Sequence, residues 1–337
     1  MIKKIIYIFL IFLIFLTSCD EQPVFNRNIS NNTLEKVKAF EYEDGRIIRS
    51  WTDEEFIYLS SSPDNSVKVF NYNGEQIRSI GEAGEAPWTN GTIWYFTKLI
   101  DTYWIHDYPK MALKKYDLNA DTLQCFQRII TKHNVIHKSE DVFVVPTADN
   151  KDGIFYLSLY DAIKDSVILN LDINKLTGRF EKLPPFGDYT FQGEFCKNKE
   201  GEILYYCSYN SSFFFIDKKN EITHHVDIRN LPISEPVVRN NSILLKPLNI
   251  GIVSATMDNS YIYLLTPTKA ESNWRILDYC LDVYDIETKK YIKSYKIPVN
   301  KEDYPVSVSI SDKYFSVVYT GGQIFVYNKK FLNDLND

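Results

Sequence analysis

The sequence lacks the motifs by which enzymes and metal proteins are most easily recognised. Its 337 residues include five cysteines, and none of these forms a Cys-x-x-Cys pair. No Gly-x-Ser-x-Gly elbow is present, and no Gly-Lys-Ser or Gly-Lys-Thr follows a glycine-rich stretch. These absences argue against a zinc site, a serine hydrolase of the common type and a P-loop nucleotide binder.

A long hydrophobic run occurs once, from Ile5 to Leu16, behind the basic start Met1-Ile2-Lys3-Lys4. A run of this length is typical of a secretory signal and is too short to remain as a membrane-spanning helix. The following Leu16-Thr17-Ser18-Cys19 resembles the lipobox of bacterial lipoproteins, in which diacylglycerol is attached to the cysteine sulfur before cleavage. The resemblance implies lipid attachment at Cys19, palmitate included, and a mature chain that begins there. An ordinary cleaved signal with an accidental cysteine is the alternative.

Charge and composition limit the remaining possibilities. Removal of residues 1–18 would take away two lysines, so 36 basic residues would face 44 acidic ones, a net charge of −8. This balance argues against nucleic-acid binding and against a polybasic membrane patch. The polar, asparagine-rich stretch after the signal is typical of a tether. We therefore expect a signal peptide over 1–18, a flexible tether over 19–33 and one folded domain over 34–331.

The folded part contains a repeat of short strands that each end in Asp or Asn. The strands are rich in aromatic and β-branched residues, and we find no convincing amphipathic helix longer than two turns. The intervals between the terminal residues are 46, 55, 45, 68 and 43, and the six strand ends are Phe70-Asn71, Tyr116-Asp117, Leu171-Asp172, Ile216-Asp217, Tyr284-Asp285 and Tyr327-Asn328. This spacing predicts an all-β fold, a six-bladed β-propeller. A β-sandwich or barrel is the alternative.

The sequence pattern predicts only three strands for the sixth blade. We expect the N-terminal stretch 35–42, which alternates polar and apolar residues, to supply its fourth strand and so close the ring. The predicted blades run from 56 to 80, 94 to 130, 142 to 183, 192 to 228, 250 to 297 and 306 to 327.

A glycine-rich stretch follows the first blade and reads Ile80-Gly81-Glu82-Ala83-Gly84-Glu85-Ala86-Pro87. It resembles the loop of form apolar-G-x-x-G-x-G-P in six-bladed propeller lipoproteins of Bacteroidota, a TolB-like group. The resemblance covers about residues 34–331, although Ala86 replaces a glycine and 88–90 replaces a Gly-Glu-aromatic run. It implies an exported propeller with no inherited catalytic residues. The same stretch opens no helix, so we expect a turn between blades rather than a phosphate cradle.

Two cysteines and two histidines are candidates for special chemistry. Cys196 and Cys207 flank a turn-like segment, which makes a hairpin disulfide one interpretation and two separate core residues the other. His133 and His137 have helical metal-ligand spacing but lie in a blade connection, so we expect surface residues. The adjacent His224 and His225 should point to opposite faces of a strand.

Polar residues expected at the ends of inner strands are the candidates for an axial metal. Calcium lies on the axis of six-bladed lactonases among carboxylate and amide oxygens. Plain turn residues are the alternative interpretation. The candidates are Asp101, Asp149, Asn198, Asp258 and Asn259.

These patterns favour a binding or protein-interaction module, anchored to the bacterial envelope through lipidated Cys19 and without a catalytic signature or cofactor. Its partner, protein or glycan, is not identified by the sequence, and nucleic acid is not expected. Asp20 and Glu21 resemble the acidic export signal of Bacteroidota surface lipoproteins, which favours the outer membrane over the inner. The alternative function is a calcium-dependent hydrolase of lactonase type.

Overall fold

The structure is a computed structural model. It describes residues 25–32, 34–117, 122–129, 134–149, 153–183, 187–233, 237–239, 242–244, 250–268, 278–299 and 303–335. The expected signal peptide and Cys19 lie outside the described residues. Within the described residues, no helix is long and apolar enough to cross a membrane.

Strands account for nearly all of the regular structure. In chain order they are β1 (Lys36–Glu41), β2 (Arg46–Thr52), β3 (Phe56–Ser62), β4 (Val67–Asn71), β5 (Gln76–Ile80), β6 (Ile93–Lys98), β7 (Thr102–Asp107), β8 (Ala112–Asp117), β9 (Leu123–Arg128), β10 (Ile136–Ser139), β11 (Val142–Asp149), β12 (Ile154–Asp161), β13 (Ser166–Asp172), β14 (Gly193–Lys197), β15 (Ile203–Cys207), β16 (Ser212–Ile216), β17 (Ile222–Val226), β18 (Val237–Arg239), β19 (Ser242–Leu244), β20 (Ser254–Met257), β21 (Tyr261–Pro267), β22 (Tyr279–Asp285), β23 (Tyr291–Ile297), β24 (Pro305–Ile310), β25 (Tyr314–Tyr319) and β26 (Gln323–Asn328). Helix α1 (Ile173–Thr177) and the 3-10 helices Gly187–Phe191 and Lys329–Leu335 complete the list.

Six four-stranded antiparallel sheets form a six-bladed β-propeller, as the sequence predicts. Blades one to five take their strands in chain order as β2–β5, β6–β9, β10–β13, β14–β17 and β20–β23. Blade six is ordered β1-β26-β25-β24, and the hairpin β18-β19 lies in the connection between blades four and five.

The N-terminal strand closes the ring. Strand β1 pairs antiparallel with β26, from Lys36 opposite Tyr327 to Glu41 opposite Gln323. The Phe40 ring contacts that of Phe70 in blade one, at 5.5 Å between centroids. The predicted closure is therefore confirmed, and β1 joins the last blade to the first.

The repeated Asp and Asn residues are explained by the turns that they form. The Oδ1 of Asn71 accepts hydrogen bonds from the backbone N–H groups of Asn73 and Glu75, at 3.0 Å each. Asp217 bonds Lys219 and Glu221 in the same way. Such side chains replace backbone partners in a tight turn, and four of the six predicted strand ends lie where a third strand returns as the fourth. The other two differ: Asp172 ends β13, the fourth strand of blade three, and caps helix α1, while Asn328 ends β26, whose outer neighbour is β1.

Buried apolar side chains fill the spaces between blades. Trp104 of blade two, for example, meets Phe143 of blade three edge-on, at 5.0 Å between ring centroids, and both side chains are buried. Each blade thus covers a face of the next, which one sheet could not bury alone.

The described part of the expected tether, residues 25–32, is held against blade five, which corrects the expectation of a flexible segment over 19–33. Asn28 and Ser30 exchange backbone hydrogen bonds with Ser294 of β23, at 2.8 Å each. The side chain of Arg27 is 3% exposed and forms an ion pair with fully buried Asp282, at 3.0 Å. These contacts fix the segment because a buried carboxylate strongly favours a positioned cation.

Further hydrogen bonds complete the Arg27 site. The guanidinium donates to the carbonyl oxygens of Pro267 and Thr268 and to the hydroxyl of Thr266, at 3.0 Å each. Asp282 also accepts hydrogen bonds from the hydroxyls of Thr266 and Ser294, at 2.5 Å each. The charges of Arg27 and Asp282 are thus both satisfied by hydrogen bonds within blade five and the N-terminal segment that packs on it.

Candidate functional site: the central channel

The six inner strands surround a channel on the propeller axis. The channel is a cavity of about 800 Å³, and its walls come from β2, β6, the start of β10, β14, β20 and β24. This volume lies within the range of small-molecule sites, roughly 300–1,000 Å³. The channel is therefore the candidate functional site.

Part of the channel wall is aromatic. Trp51 meets Phe96 at 6.1 Å between ring centroids, and both side chains line the channel. Trp94 and Phe195 contribute two more rings to the lining. Aromatic walls with a few polar groups are common in ligand sites, because they bind an apolar surface without fixing a single ligand shape.

An ion pair crosses the channel from blade one to blade four. The guanidinium of Arg49 contacts the Glu194 carboxylate at 2.5 Å, and the two side chains are 28% and 25% exposed. Arg49 also lies over the Trp94 ring, at 5.3 Å to its centroid. Tyr206 donates to the second Glu194 oxygen at 3.2 Å. Because blades one and four are opposite in a ring of six, this pair spans the axis.

A second set of ion pairs lies where the inner strands end. The Lys199 ammonium, on the β14-β15 turn, contacts Glu54 of blade one at 2.6 Å and Asp312 of blade six at 2.7 Å. Lys329 contacts Asp258 at 2.8 Å. The Lys199 pairs are exposed and contribute little stability, about 0–1 kcal/mol each, but they reach across the channel mouth.

Lys197 and His137 form a polar contact between blades three and four. The Lys197 ammonium donates to the His137 Nδ1 at 3.3 Å and to its carbonyl oxygen at 3.2 Å. The His137 Nε2 lies 2.7 Å from the carbonyl oxygen of Glu140, so we assign the ring proton to Nε2. Burial, with the nearby Lys138 charge, lowers the pKa of Lys197 to about 8. Burial and the Lys197 charge lower the pKa of His137 to about 4.

The structure brings together three of the five residues predicted for the axis. Asn198, Asp258 and Asn259 line the channel, whereas Asp101 and Asp149 are absent from the described lining. Asn198 and Asp258 accept hydrogen bonds from nearby backbone N–H groups, as turn residues do.

The described residues do not favour the calcium alternative. Asp258 is already bonded to the Lys329 ammonium and to the Tyr263 hydroxyl. Across the described part of the chain, no group of three or more His, Cys, Asp or Glu side chains is arranged to hold a metal ion. A cluster of three carboxylates, which would favour calcium most strongly, is thus not formed among these residues.

The structure decides between the two interpretations of the cysteines and corrects the expected position of one histidine. Cys196 and Cys207 are free, and their strand register places Cys207 opposite Gly193 and Cys196 opposite Leu204. The candidate disulfide is therefore not formed, because the two thiols are three positions out of register. His137 is buried at 4% exposure rather than on the surface, and its proposed companion His133 lies outside the described residues.

The adjacent residues His224 and His225 point to opposite faces of their strand, as predicted. His224 stacks on Phe214 and His225 on Phe213, at 4.9 and 5.4 Å between ring centroids. Since these phenylalanines are neighbours on one strand, the two imidazoles lie on opposite faces of the blade.

Two lysines hold the glycine-rich segment as a turn between blades one and two, as predicted. The Lys110 ammonium donates to the carbonyl oxygens of Gly84, Ala86 and Thr89, at 3.0, 2.6 and 2.7 Å. Lys114 pairs with Asp107 beneath it at 2.6 Å, with both side chains fully buried. Sequence reasoning did not identify this support, because no motif links the lysines to the segment.

The channel residues Arg49, Glu194 and Lys197 were also missed. Their roles depend on contacts between blades, and no local pattern marks them.

No family model and no curated protein matches the sequence. Solved structures with the same architecture include a crystal structure from Bacteroides fragilis described as that of an exported protein. It is 11% identical, with a TM-score of 0.56, and the alignment covers 93% of this chain and 98% of that one. Another is a member of the DUF4221 family from Bacteroides vulgatus, at 10% identity and a TM-score of 0.57, covering 90% and 98% of the two chains. At this identity the likeness shows the fold alone.

Proposed function

We propose that this protein is an exported binding module, anchored to the cell envelope by lipid and engaging its ligand or partner through the central channel. The channel is the observation that carries this proposal, since it combines a volume of about 800 Å³ with aromatic walls and ion pairs. A rigid ring of blades holds these groups in place, as a recognition surface requires.

Anchoring and export are supported by the sequence around Cys19 and by the description of the Bacteroides fragilis structure as an exported protein. A diacylated cysteine carries two acyl chains, which suffice for stable membrane binding. We place the protein at the outer membrane, among TolB-like propeller lipoproteins of Bacteroidota.

The anchor is tested by the Cys19→Ala variant. We expect the wild type to incorporate labelled palmitate and to fractionate with membranes, and the variant to do neither. Palmitate incorporation by the variant would contradict lipidation at Cys19.

Binding is tested in living cells with a photo-crosslinking amino acid. Asn259 is an exposed residue of the channel lining, and Ile77, on the outer strand of blade one, is 51% exposed and serves as the matched control. We expect a discrete adduct at position 259, with a protein, a glycan or a small ligand, and none at position 77. Equal yields at the two positions, or no adduct at 259, would contradict recognition at the channel.

A further inference from the structure

Charge pairing within the channel leaves one cation without an anion. Within the described residues, five cationic side chains line the channel, and four of them face a carboxylate. These four are Arg49, Lys98, Lys199 and Lys329. Lys197 has no carboxylate within ion-pair distance among the described residues, and its nearby charge is another cation, Lys138.

The bonding of Lys197 leaves part of its ammonium free. An ammonium group has three N–H donors. Two contacts go to the Nδ1 and the carbonyl oxygen of His137, at 3.3 and 3.2 Å. The third donor has no acceptor among the described residues, and Lys197 is one of the residues that line the cavity.

This arrangement has a cost in free energy. A partly buried cation loses hydration free energy, and hydrogen bonds to the neutral His137 compensate for only part of that loss. A ligand that brings a negative charge would satisfy the third donor and supply the missing counter-ion, and charge-assisted hydrogen bonds are the strong ones.

The strand geometry places an aromatic ring beside this cation. Phe195 and Lys197 are two residues apart on β14, so their side chains lie on the same face, with backbone positions about 7 Å apart. Phe195 and Lys197 both line the channel, as does Trp94. A flat apolar body of one or two rings would therefore extend along the wall from a charged group held at Lys197.

We propose that the channel binds a small organic anion with an apolar body, an aryl or alkyl carboxylate, whose carboxylate accepts a hydrogen bond from the Lys197 ammonium. This inference rests on the proposed function, since it names the ligand chemistry of the same channel. It assigns to Lys197 the selection of charge and to the aromatic wall the binding of the apolar part.

The test compares two probes that differ in charge and hardly in shape, 2-naphthoate and 2-naphthamide. Binding is followed by the fluorescence of the channel tryptophans Trp51 and Trp94 and by calorimetry. We expect the wild type to bind the carboxylate about 10- to 100-fold more tightly than the amide, the range for a charge-assisted hydrogen bond.

Three variants locate the source of this preference. Lys197→Met keeps the length of the side chain and removes its charge, so the preference for the carboxylate should vanish while amide binding stays. Lys197→Arg should retain the preference. Lys164→Met removes an exposed lysine of blade three that is not among the residues lining the channel and should leave the preference within about threefold of the wild type.

The outcomes separate this inference from the proposed function. Equal binding of both probes by the wild type, or an unchanged preference in Lys197→Met, would overturn the anion assignment and leave the channel as a binding site. Binding of neither probe would overturn the anion assignment as well, while the photo-crosslinking experiment decides the proposed function independently.

Discussion

His106 should make the stability of this propeller sensitive to mild acid. Its imidazole is fully buried in β7, and neither ring nitrogen has a hydrogen-bond partner among the described residues. Burial lowers its pKa to about 4 from the ordinary 6.5, against a small opposing effect of Asp107. The folded protein thus holds His106 neutral in a pH range where the unfolded chain would protonate it.

The sign and size of the effect follow from proton linkage. Between pH 6.5 and 4 the unfolded chain binds a proton that the folded chain does not, so the free energy of unfolding falls as the pH falls. For the pKa values of 6.5 and about 4, the loss between pH 7 and pH 5 is about 2 kcal/mol. His137, with a pKa also lowered to about 4 by burial and by Lys197, adds a similar loss.

Urea unfolding at pH 8, 7, 6 and 5 measures this dependence for the wild type and for His106→Phe. We expect the variant to lose about 2 kcal/mol less than the wild type between pH 7 and pH 5. Between pH 8 and pH 7 the difference between the two proteins should stay nearly constant, because the histidine is mostly neutral in both states. Parallel curves from pH 7 to pH 5 would refute the argument.

Three further predictions concern the buried ion pairs and ring closure. Arg27→Met leaves a buried carboxylate without its cation and should lower the free energy of unfolding by about 3–5 kcal/mol; a loss below 1 kcal/mol in urea unfolding would contradict the docking of the N-terminal segment. Lys114→Met should cost a similar amount, because the buried Asp107 carboxylate then loses its counter-ion, and an unchanged midpoint would contradict the pairing. Deleting residues 20–42 removes β1 and should lower the thermal midpoint and promote aggregation, whereas deleting 20–24 should leave the midpoint unchanged; equal midpoints would contradict closure by β1.

The sequence predicted the fold because its repeat signal is local. Asn71 and Asp217 form their turns with backbone groups two and four residues later, so a pattern of strand end and turn is readable without knowing the neighbours. Closure by 35–42 was predictable for a related reason, since a ring with three strands in its last blade needs a fourth.

Two of the six inner strands, β2 and β10, were missed because their residue patterns are not those of a buried strand. Strand β2 includes Arg46 and Arg49, and β10 has four residues, so neither shows the apolar alternation of a buried strand. Missing β10 also explains why Asp149 was placed on the axis. It ends β11, the second strand of blade three.

The chemistry of the channel could not be predicted because it depends on contacts between distant residues. Lys197 meets His137 from 60 residues away, and the ion pair of Arg49 with Glu194 joins opposite blades. A single sequence gives the identity of such residues but not their partners. Closeness in sequence is also an unreliable guide to contact. The Cys196–Cys207 disulfide was suggested because the two cysteines flank a turn, but they are not opposite each other in the strand register.

Docking of Arg27 on blade five has a consequence for the proposed lipid anchor, because it would limit the distance between the propeller and a membrane. Arg27 lies eight positions after Cys19, and a fully extended chain spans about 3.5 Å per residue, so a lipid on Cys19 would hold blade five within about 28 Å of the bilayer. A chain free as far as Lys36 would allow about 60 Å. With the lipid anchor that we propose at Cys19, the docked arginine would keep blade five near the bilayer and restrict the directions from which a ligand could reach the channel.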